Sequence, residues 1–115
     1  RYRGAAHTPP RHPTWFSGAA DRRLQAHGVS RVAADPVCGE GGGSPDGSLR
    51  VAYFRLHGSP LMYHSSYHGE YLDRLAAEIR ARGARSEVWC VFDNTARGAA
   101  TMNAIDLLAR LRYRE

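Results

Sequence analysis

Apolar residues recur along the chain with two periods, one typical of strands and one typical of helices. Val51 to His57 alternates at every second position, with apolar side chains on one face and Tyr, Arg and His on the other. Glu70 to Arg82 repeats its apolar residues every three or four positions and is followed by Gly83, a common helix end. A strand and an amphipathic helix are therefore predicted. The apolar stripe of this helix is Leu72, Leu75, Ala76 and Ile79.

The N-terminal part of the chain has weaker patterns. Residues 1–10 show no periodicity and are predicted to be irregular. A short helix is expected over Asp21 to His27, and a short strand over Val29 to Asp35. Pro36 to Ser48 is rich in Gly, Pro and Ser and is predicted to be a surface loop.

The C-terminal part adds one strand and one helix. Glu87 to Phe92 is almost continuously apolar, which is typical of a strand that is buried on both faces. A last helix is expected over Ala100 to Leu111. Its predicted inward positions are Ala104, Leu107, Leu108 and Leu111. Strands that alternate with helices indicate an α/β fold built from parallel βαβ units.

Composition narrows the class of protein. The 115 residues are 43% hydrophobic and 23% charged, which indicates one small globular domain rather than a disordered chain. The net charge of +5 would suit a polyanionic partner, but all basic residues are Arg and they are dispersed. No run approaches the roughly 20 apolar residues of a membrane helix, and no secretory signal pattern is visible. A cytoplasmic protein is expected.

The two cysteines lack a CxxC spacing. Cys38 is predicted to be an incidental thiol and Cys90 a buried one.

Four motifs resemble the YecE-like family, also called domain-of-unknown-function family seventy-two. Their order and spacing are similar to those of the second half of that family's (β/α)8 barrel. The RLHG and FDNT-x-x-G motifs together are specific, although either alone is weak. The motifs are Arg11–Phe16 (RHPTWF), Tyr53–Gly58 (YFRLHG), Tyr63–Tyr67 (YHSSY) and Val91–Thr95 (VFDNT), the last followed by Gly98-Ala99 and Asn103-Ala104.

The resemblance implies an incomplete TIM barrel. A whole barrel needs about 250 residues. The chain is therefore expected to be a single partial domain, with the Arg-His motif, a short helix and a strand in residues 11–35 and the last two βα units in residues 49–115. Where the family usually has an acidic residue, this chain has Pro9, so the barrel's fifth strand is expected to be missing or altered. Open strand edges seek partners, so an oligomer or the missing N-terminal half is expected to cover them.

The barrel rule places functional residues at the carboxyl ends of the strands. His57 is the expected acid–base group, with Arg55 and Asp35 completing the catalytic set. A structural alternative is that Arg55 forms an ion pair with Asp35 in the barrel interior, and that His57 only forms a turn with Gly58. The expected substrate-binding residues are Arg11, His12, Trp15, Tyr63, Tyr67, Asn94 and Arg97.

Two loops are expected to offer donors to a phosphate group, Gly58 to Gly69 and Asn94 to Gly98, with Arg97 as a bidentate partner. The alternative is that Asn94 and Thr95 cap the following segment. No metal site is predicted, because the His and Asp residues at strand ends form no tight motif. The sequence identifies no cofactor.

Three functions stay open at this point, and the sequence does not decide whether the protein is an enzyme. The first is an enzyme that acts on a phosphorylated sugar or a nucleotide-like substrate. The second is a nucleic-acid-binding or endonuclease-like barrel in which Trp15, Tyr63 and Tyr67 stack on bases. The third is an inactive truncated fragment.

Overall fold

The computed structural model describes the backbone of residues 6–8 and all of residues 10–113. Within these residues, no helix is both long enough and apolar enough to cross a membrane. The elements in chain order are β1 (Ala6–Thr8), a 3₁₀ turn (Pro13–Trp15), α1 (Gly18–Ala26), β2 (Val29–Arg31), β3 (Ala33–Asp35), β4 (Asp46–Gly47), β5 (Val51–Leu56), α2 (Gly69–Gly83), β6 (Glu87–Phe92) and α3 (Ala99–Arg112).

Parallel strand pairing organises the chain. β1 pairs with β2, and β3, β5 and β6 form a second ladder in that order, all parallel. Only Val32 separates β2 from β3, so one extended segment has β1 beside its first half and β5 beside its second half. β4 adds a short antiparallel bridge to β2. The expected α/β class with parallel strands is confirmed.

The N-terminal third differs from the sequence-based expectation. Residues 6–8 are not irregular, because β2 offers them a parallel partner that local periodicity does not reveal. Pro9 lies outside the described residues. Helix α1 begins earlier than predicted, at Gly18, since the Ser17 hydroxyl accepts a hydrogen bond from the Ala20 N–H and caps the first turn. The predicted loop from Pro36 to Ser48 contains β4.

The hydrophobic core lies between one face of the sheet and helices α2 and α3. Alternation along β5 directs Ala52, Phe54 and Leu56 into this core, as predicted. The predicted apolar stripe of α2 is also confirmed as buried. The buried core residues are Ala33, Ala52, Phe54, Leu56, Tyr67, Leu72, Leu75, Ala76, Ile79 and Leu107.

The other face of β5 and β6 carries the exposed side chains of Arg55 and Trp89, and we call it the open face. Its residues are Tyr53, Arg55, Trp89 and Val91, which alternate with the core positions. The prediction that β6 is buried on both faces is wrong, since Trp89 is 54% exposed.

Helix α3 confirms two of its four predicted inward positions. Leu107 is buried and Leu111 packs against the core, but Ala104 and Leu108 are exposed. The inward position one turn before Leu107 belongs instead to Asn103, which is 2% exposed. An apolar pattern alone did not reveal that a polar residue occupies the contact.

A buried ion pair joins α1 to β2. The Arg31 side chain is only 4% exposed, and its Nε lies 2.7 Å from Asp21 Oδ1. Its guanidinium also contacts the ring of Phe16 and the carbonyl oxygen of Gly41. Asp46 adds a longer contact of 3.9 Å. The charge of Arg31 is removed from water, and an unpaired charge there would destabilise the folded state. The fold therefore depends on Asp21 as the partner of Arg31.

We expect Asp21→Ala to lower the free energy of unfolding by about 3–5 kcal/mol, because it leaves a buried guanidinium without its main partner. The matched control is Asp73→Ala. It breaks the pair of Asp73 with Arg110, in which the aspartate is 66% exposed, and should cost only about 0–1 kcal/mol. Urea melts of both variants measure the difference. Equal losses would contradict the role given to burial.

The two cysteines should differ in reactivity. Burial raises the pKa of Cys90 to about 12, whereas Cys38 is exposed. Since the thiolate is the reactive form, a thiol reagent at pH 8 should modify one cysteine of the folded chain quickly and the other only on unfolding. Mass spectrometry identifies the site. In Cys38→Ser, rapid labelling should disappear; its persistence would show that Cys90 is accessible.

Candidate functional site

Strand register brings three strand ends side by side. Asp35 lies opposite Leu56, and Leu56 lies opposite Phe92. Two backbone hydrogen bonds continue this pairing, one from the His57 N–H to the Asp35 carbonyl and one from the Asp93 N–H to the Leu56 carbonyl. His57 and Asp93 are therefore neighbours at the carboxyl edge of the sheet.

Three charged or titratable side chains meet at this edge, and we call them the polar cluster: Arg55, His57 and Asp93. Asp93 Oδ2 lies 2.7 Å from Arg55 Nε and 3.0 Å from His57 Nδ1. One carboxylate oxygen thus faces both a guanidinium and an imidazole. The ring of Tyr63 contacts the His57 ring edge-on, with 5.6 Å between centroids.

Electrostatic attraction to Asp93 holds the Arg55 side chain within the polar cluster. The hydrogen bond and the charge of Asp93 raise the pKa of Arg55, so the guanidinium stays charged. His57 Nδ1 is close to Asp93, but its angle does not yet make a hydrogen bond.

Asp35 does not belong to the polar cluster. It shares the register position of Leu56, so its side chain lies on the helix side of the sheet, while Arg55 lies on the open face. The predicted alternative of an Arg55–Asp35 pair is therefore wrong. Asp35 instead accepts a hydrogen bond of 2.8 Å from the Tyr67 hydroxyl. It lines a cavity of ≈ 270 Å³ together with Tyr71 and Arg74.

A network of buried amides fixes the loop between β5 and α2. Asn103 Oδ1 accepts hydrogen bonds from Asn94 Nδ2 and from the Tyr67 N–H, at 2.8 and 3.0 Å. Asn94 Nδ2 also donates to the carbonyl of Ser65, at 2.9 Å. Asn94 is fully buried, so it joins the loop to the end of β6 and is not exposed to a ligand.

Several donors predicted for a phosphate are already used inside the protein. The Gly58 N–H donates to the Tyr67 hydroxyl, and Ser66 hydrogen-bonds with Asn103. Ser65 Oγ accepts from the Leu61 N–H, a bond that positions the hydroxyl without using its O–H as a donor. The loop is also tight: Gly58 has φ +93°, and a Cβ there would approach the Ser65 carbonyl oxygen to 3.0 Å.

Tyr67 occupies the core rather than a ligand-facing wall. It is 7% exposed and stacks on Tyr71, with 4.5 Å between centroids. Burial, and then the hydrogen bond to Asp35, raise the pKa of Tyr67 far above its ordinary value. Tyr63, by contrast, is 47% exposed beside His57. Of the two tyrosines, only Tyr63 is exposed to a ligand.

The remaining predicted binding residues lie on the surface. Arg11, His12 and Trp15 follow β1, which pairs with β2 and not with β5, and Arg97 is exposed after β6. The hydrogen bonds of the His12 ring are local, to Thr14. These residues are thus accessible, but they make no contact with the polar cluster among the hydrogen bonds and ion pairs of the described chain.

The roles of two residues in the site were not predicted from the sequence. Asp93 and Asn103 enter the sequence analysis only as motif residues, without a predicted role. The signal for Asp93 was present, because a parallel pairing of β5 with β6 sets it beside His57. No group of three or more His, Cys, Asp or Glu side chains that could hold a metal ion occurs in the part of the chain that the structure describes.

Fold and site together define a class: a partial α/β domain with a parallel sheet and a polar cluster at its carboxyl edge. Residues 9–115 match the family model described as Protein of unknown function DUF72. The chain belongs to this family, for which YecE-like is another name. No curated protein matches the chain.

Two crystal structures of DUF72 family proteins have a similar fold. One, from Thermotoga maritima MSB8, is 22% identical and superimposes with a TM-score of 0.80 over 97% of this chain. The other, from Enterococcus faecalis V583, is 15% identical, with a TM-score of 0.75 over 96% of this chain. In both, the chain spans 48% of the length of the similar structure. The likeness shows the fold alone.

The Tyr67 hydroxyl offers a direct test of the loop network. Tyr67→Phe removes the acceptor of the buried Gly58 N–H and the donor to Asp35, so we expect a loss of about 1–3 kcal/mol in the free energy of unfolding. Tyr113→Phe, at a residue that is 78% exposed, should change stability negligibly. Chemical denaturation followed by circular dichroism compares the two. Equal stability of the variants would contradict the network.

Proposed function

We propose that the chain forms the C-terminal half of an eight-stranded parallel (β/α)8 barrel. Its four successive strand positions, the helices on one side of the sheet and the similarity to about half of two larger structures support this architecture. The open face would then be the barrel interior, and the polar cluster would lie at the carboxyl-end mouth.

At that mouth we propose an enzyme that transfers protons on a phosphorylated sugar or nucleotide-like substrate. The observation that carries the proposal is the shared Asp93 carboxylate, which faces both Arg55 and His57 within 3.0 Å. A turn of the imidazole that aligns its Nδ1–H with Asp93 would orient the ring, and Nε2 would then give and take the proton, as in other His–Asp pairs. Arg55 is held charged beside the reacting group, where it stabilises negative charge that develops on the substrate.

The substrate class follows from the donors that stay exposed. Arg97 is an exposed guanidinium near the mouth, suited to a phosphate group, and Tyr63 offers a hydroxyl and a ring face beside His57. A long nucleic-acid backbone is usually bound by a continuous basic surface. The arginines of this chain are dispersed, so a small anion is the better-supported ligand.

Solvent deuterium exchange tests this proposal without knowledge of the product. Aldose phosphates, ketose phosphates and mononucleotides are incubated with the chain in deuterium oxide and followed by NMR. We expect incorporation at a carbon-bound position of one substrate. His57→Gln should lower its rate at least about 100-fold, since the proton carrier is lost. Asp93→Asn should lower it less, because the ring remains but is poorly oriented.

The matched control is His64→Gln, which removes an exposed histidine of the same loop and should leave the exchange rate unchanged. Binding of single-stranded DNA with a steep salt dependence and no exchange would favour the nucleic-acid alternative. A folded chain that neither exchanges any substrate nor binds DNA would support an inactive fragment.

A further inference from the structure

We infer that a groove between β3 and α2 binds a free α-amino acid with an apolar side chain. In this groove Arg74 binds the carboxylate of the ligand, and Asp35 binds its ammonium group. The groove shares no lining residue with the polar cluster at the carboxyl edge of the sheet. It is therefore a second site, separate from the one proposed for acid–base chemistry.

The connection between β3 and β5 opens this groove. In parallel sheets, such a connection usually carries a helix that covers the two strands it joins. Residues 36–50 form only turns, bends and the two-residue strand β4. The side of α2 that would pack against a helix there borders a cavity of ≈ 270 Å³ instead. The residues that line this cavity all lie between Ala33 and Glu78.

Three polar side chains lie at the border between this cavity and a second one of ≈ 250 Å³, since Asp35, Tyr71 and Arg74 line both. Asp35 Oδ2 accepts a hydrogen bond from Tyr67, but Oδ1 has no partner among the described residues. The Arg74 guanidinium and the Tyr71 hydroxyl also make no hydrogen bond or ion pair with a described residue. Burial raises the pKa of Tyr71, the charge of Asp35 raises it further and that of Arg74 lowers it, so both charges lie near this hydroxyl.

The two charges at this border are complementary to a zwitterion. Asp35 and Arg74 line the same cavities without forming an ion pair with each other. A ligand between them can present an ammonium group to Asp35 Oδ1 and a carboxylate to the Arg74 fork, which binds carboxylates with two hydrogen bonds. The Tyr71 hydroxyl can donate to the same carboxylate. Glu78, another acidic residue of the first cavity, is already paired with Arg82 at 3.0 Å.

The first cavity is shaped for an apolar side chain. Its apolar lining includes Val37, Phe54, Leu56 and Leu75, none of which lines the second cavity. Both charges thus lie at one end of an apolar space, as they do in an α-amino acid. Small-molecule sites usually measure roughly 300–1,000 Å³, so ≈ 270 Å³ suits a ligand this small. A residue inside a peptide lacks both charges, which leaves the free amino acid as the occupant.

NMR titration with three matched compounds tests the site. Free leucine carries both charges, isoamylamine lacks the carboxylate and isocaproate lacks the ammonium group. Each compound is added to the isotope-labelled chain, and the amide shifts report where it binds. We expect leucine to bind at least about tenfold more tightly than either relative, because only leucine makes both charged contacts. The largest shifts should occur in β3 and in the first half of α2.

Two variants separate the charges. Arg74→Gln should weaken leucine binding at least about tenfold and leave isoamylamine binding unchanged, since the amine does not use the guanidinium. Asp35→Asn should weaken the binding of leucine and isoamylamine and leave that of isocaproate unchanged. The asparagine side-chain oxygen can still accept the hydrogen bond from Tyr67.

Arg85→Gln is the matched control, because Arg85 is exposed and lines neither cavity, and leucine should bind this variant as it binds the wild type. Circular dichroism checks that each variant is folded. If Asp35→Asn unfolds, Arg74→Gln still decides, since Arg74 is exposed on α2.

Three results would overturn the assignment. The first is that leucine at millimolar concentrations does not bind, or binds no more tightly than isoamylamine or isocaproate. The second is that the amide shifts lie outside the groove, and the third is that Arg74→Gln leaves leucine affinity unchanged.

Discussion

The parallel pairing of β5 with β6 is the constraint on which the rest of the structure depends. Its register runs from Val51 opposite Glu87 to Leu56 opposite Phe92. A slip by one residue would turn the apolar positions of β6 away from α2 and α3 and would move Asp93 away from His57. Core packing and the polar cluster are therefore fixed by the same backbone hydrogen bonds. Burial of apolar side chains selects the register, and the register then places His57 beside Asp93.

Hydrogen bonds of two buried amide side chains fix the loop after β5 relative to the sheet. Asn94 follows Asp93, the first residue after β6, and its side chain donates hydrogen bonds to Asn103 Oδ1 of α3 and to the Ser65 carbonyl. The loop after β5 is thereby tied to the strand next to it and to the last helix. Because buried amides are costly unless they are bonded, this network favours one loop conformation strongly. In the same loop, the Tyr63 N–H donates to the His57 carbonyl, and the Tyr63 ring contacts the His57 ring.

Sequence periodicity predicted the elements that bury one face, because that pattern is visible within the segment itself. It did not predict the position of side chains whose contacts come from residues distant in the sequence. The alternation of β5 and the stripe of α2 were sufficient to assign both, since each buries one face. Asp35 was grouped with Arg55 because both are near strand ends, but the face on which a side chain lies depends on register, which one strand alone does not reveal. Tyr67 was likewise taken for a ligand contact, because no local signal shows that its hydroxyl has two internal partners.

Ala104 and Leu108 are exposed in the described chain, although the apolar pattern of α3 predicted that both are buried. The same holds for Trp89 on the open face. The Arg55–Asp93 pair is also partly open, with the Arg55 side chain 45% exposed, so water screens it. If the chain forms half of a closed barrel, as proposed above, the effective dielectric constant around this pair is lower, which strengthens the attraction between Asp93 and Arg55. The half of the barrel that closes over the open face then also encloses the polar cluster, so that closure of the fold and the proposed chemistry are coupled.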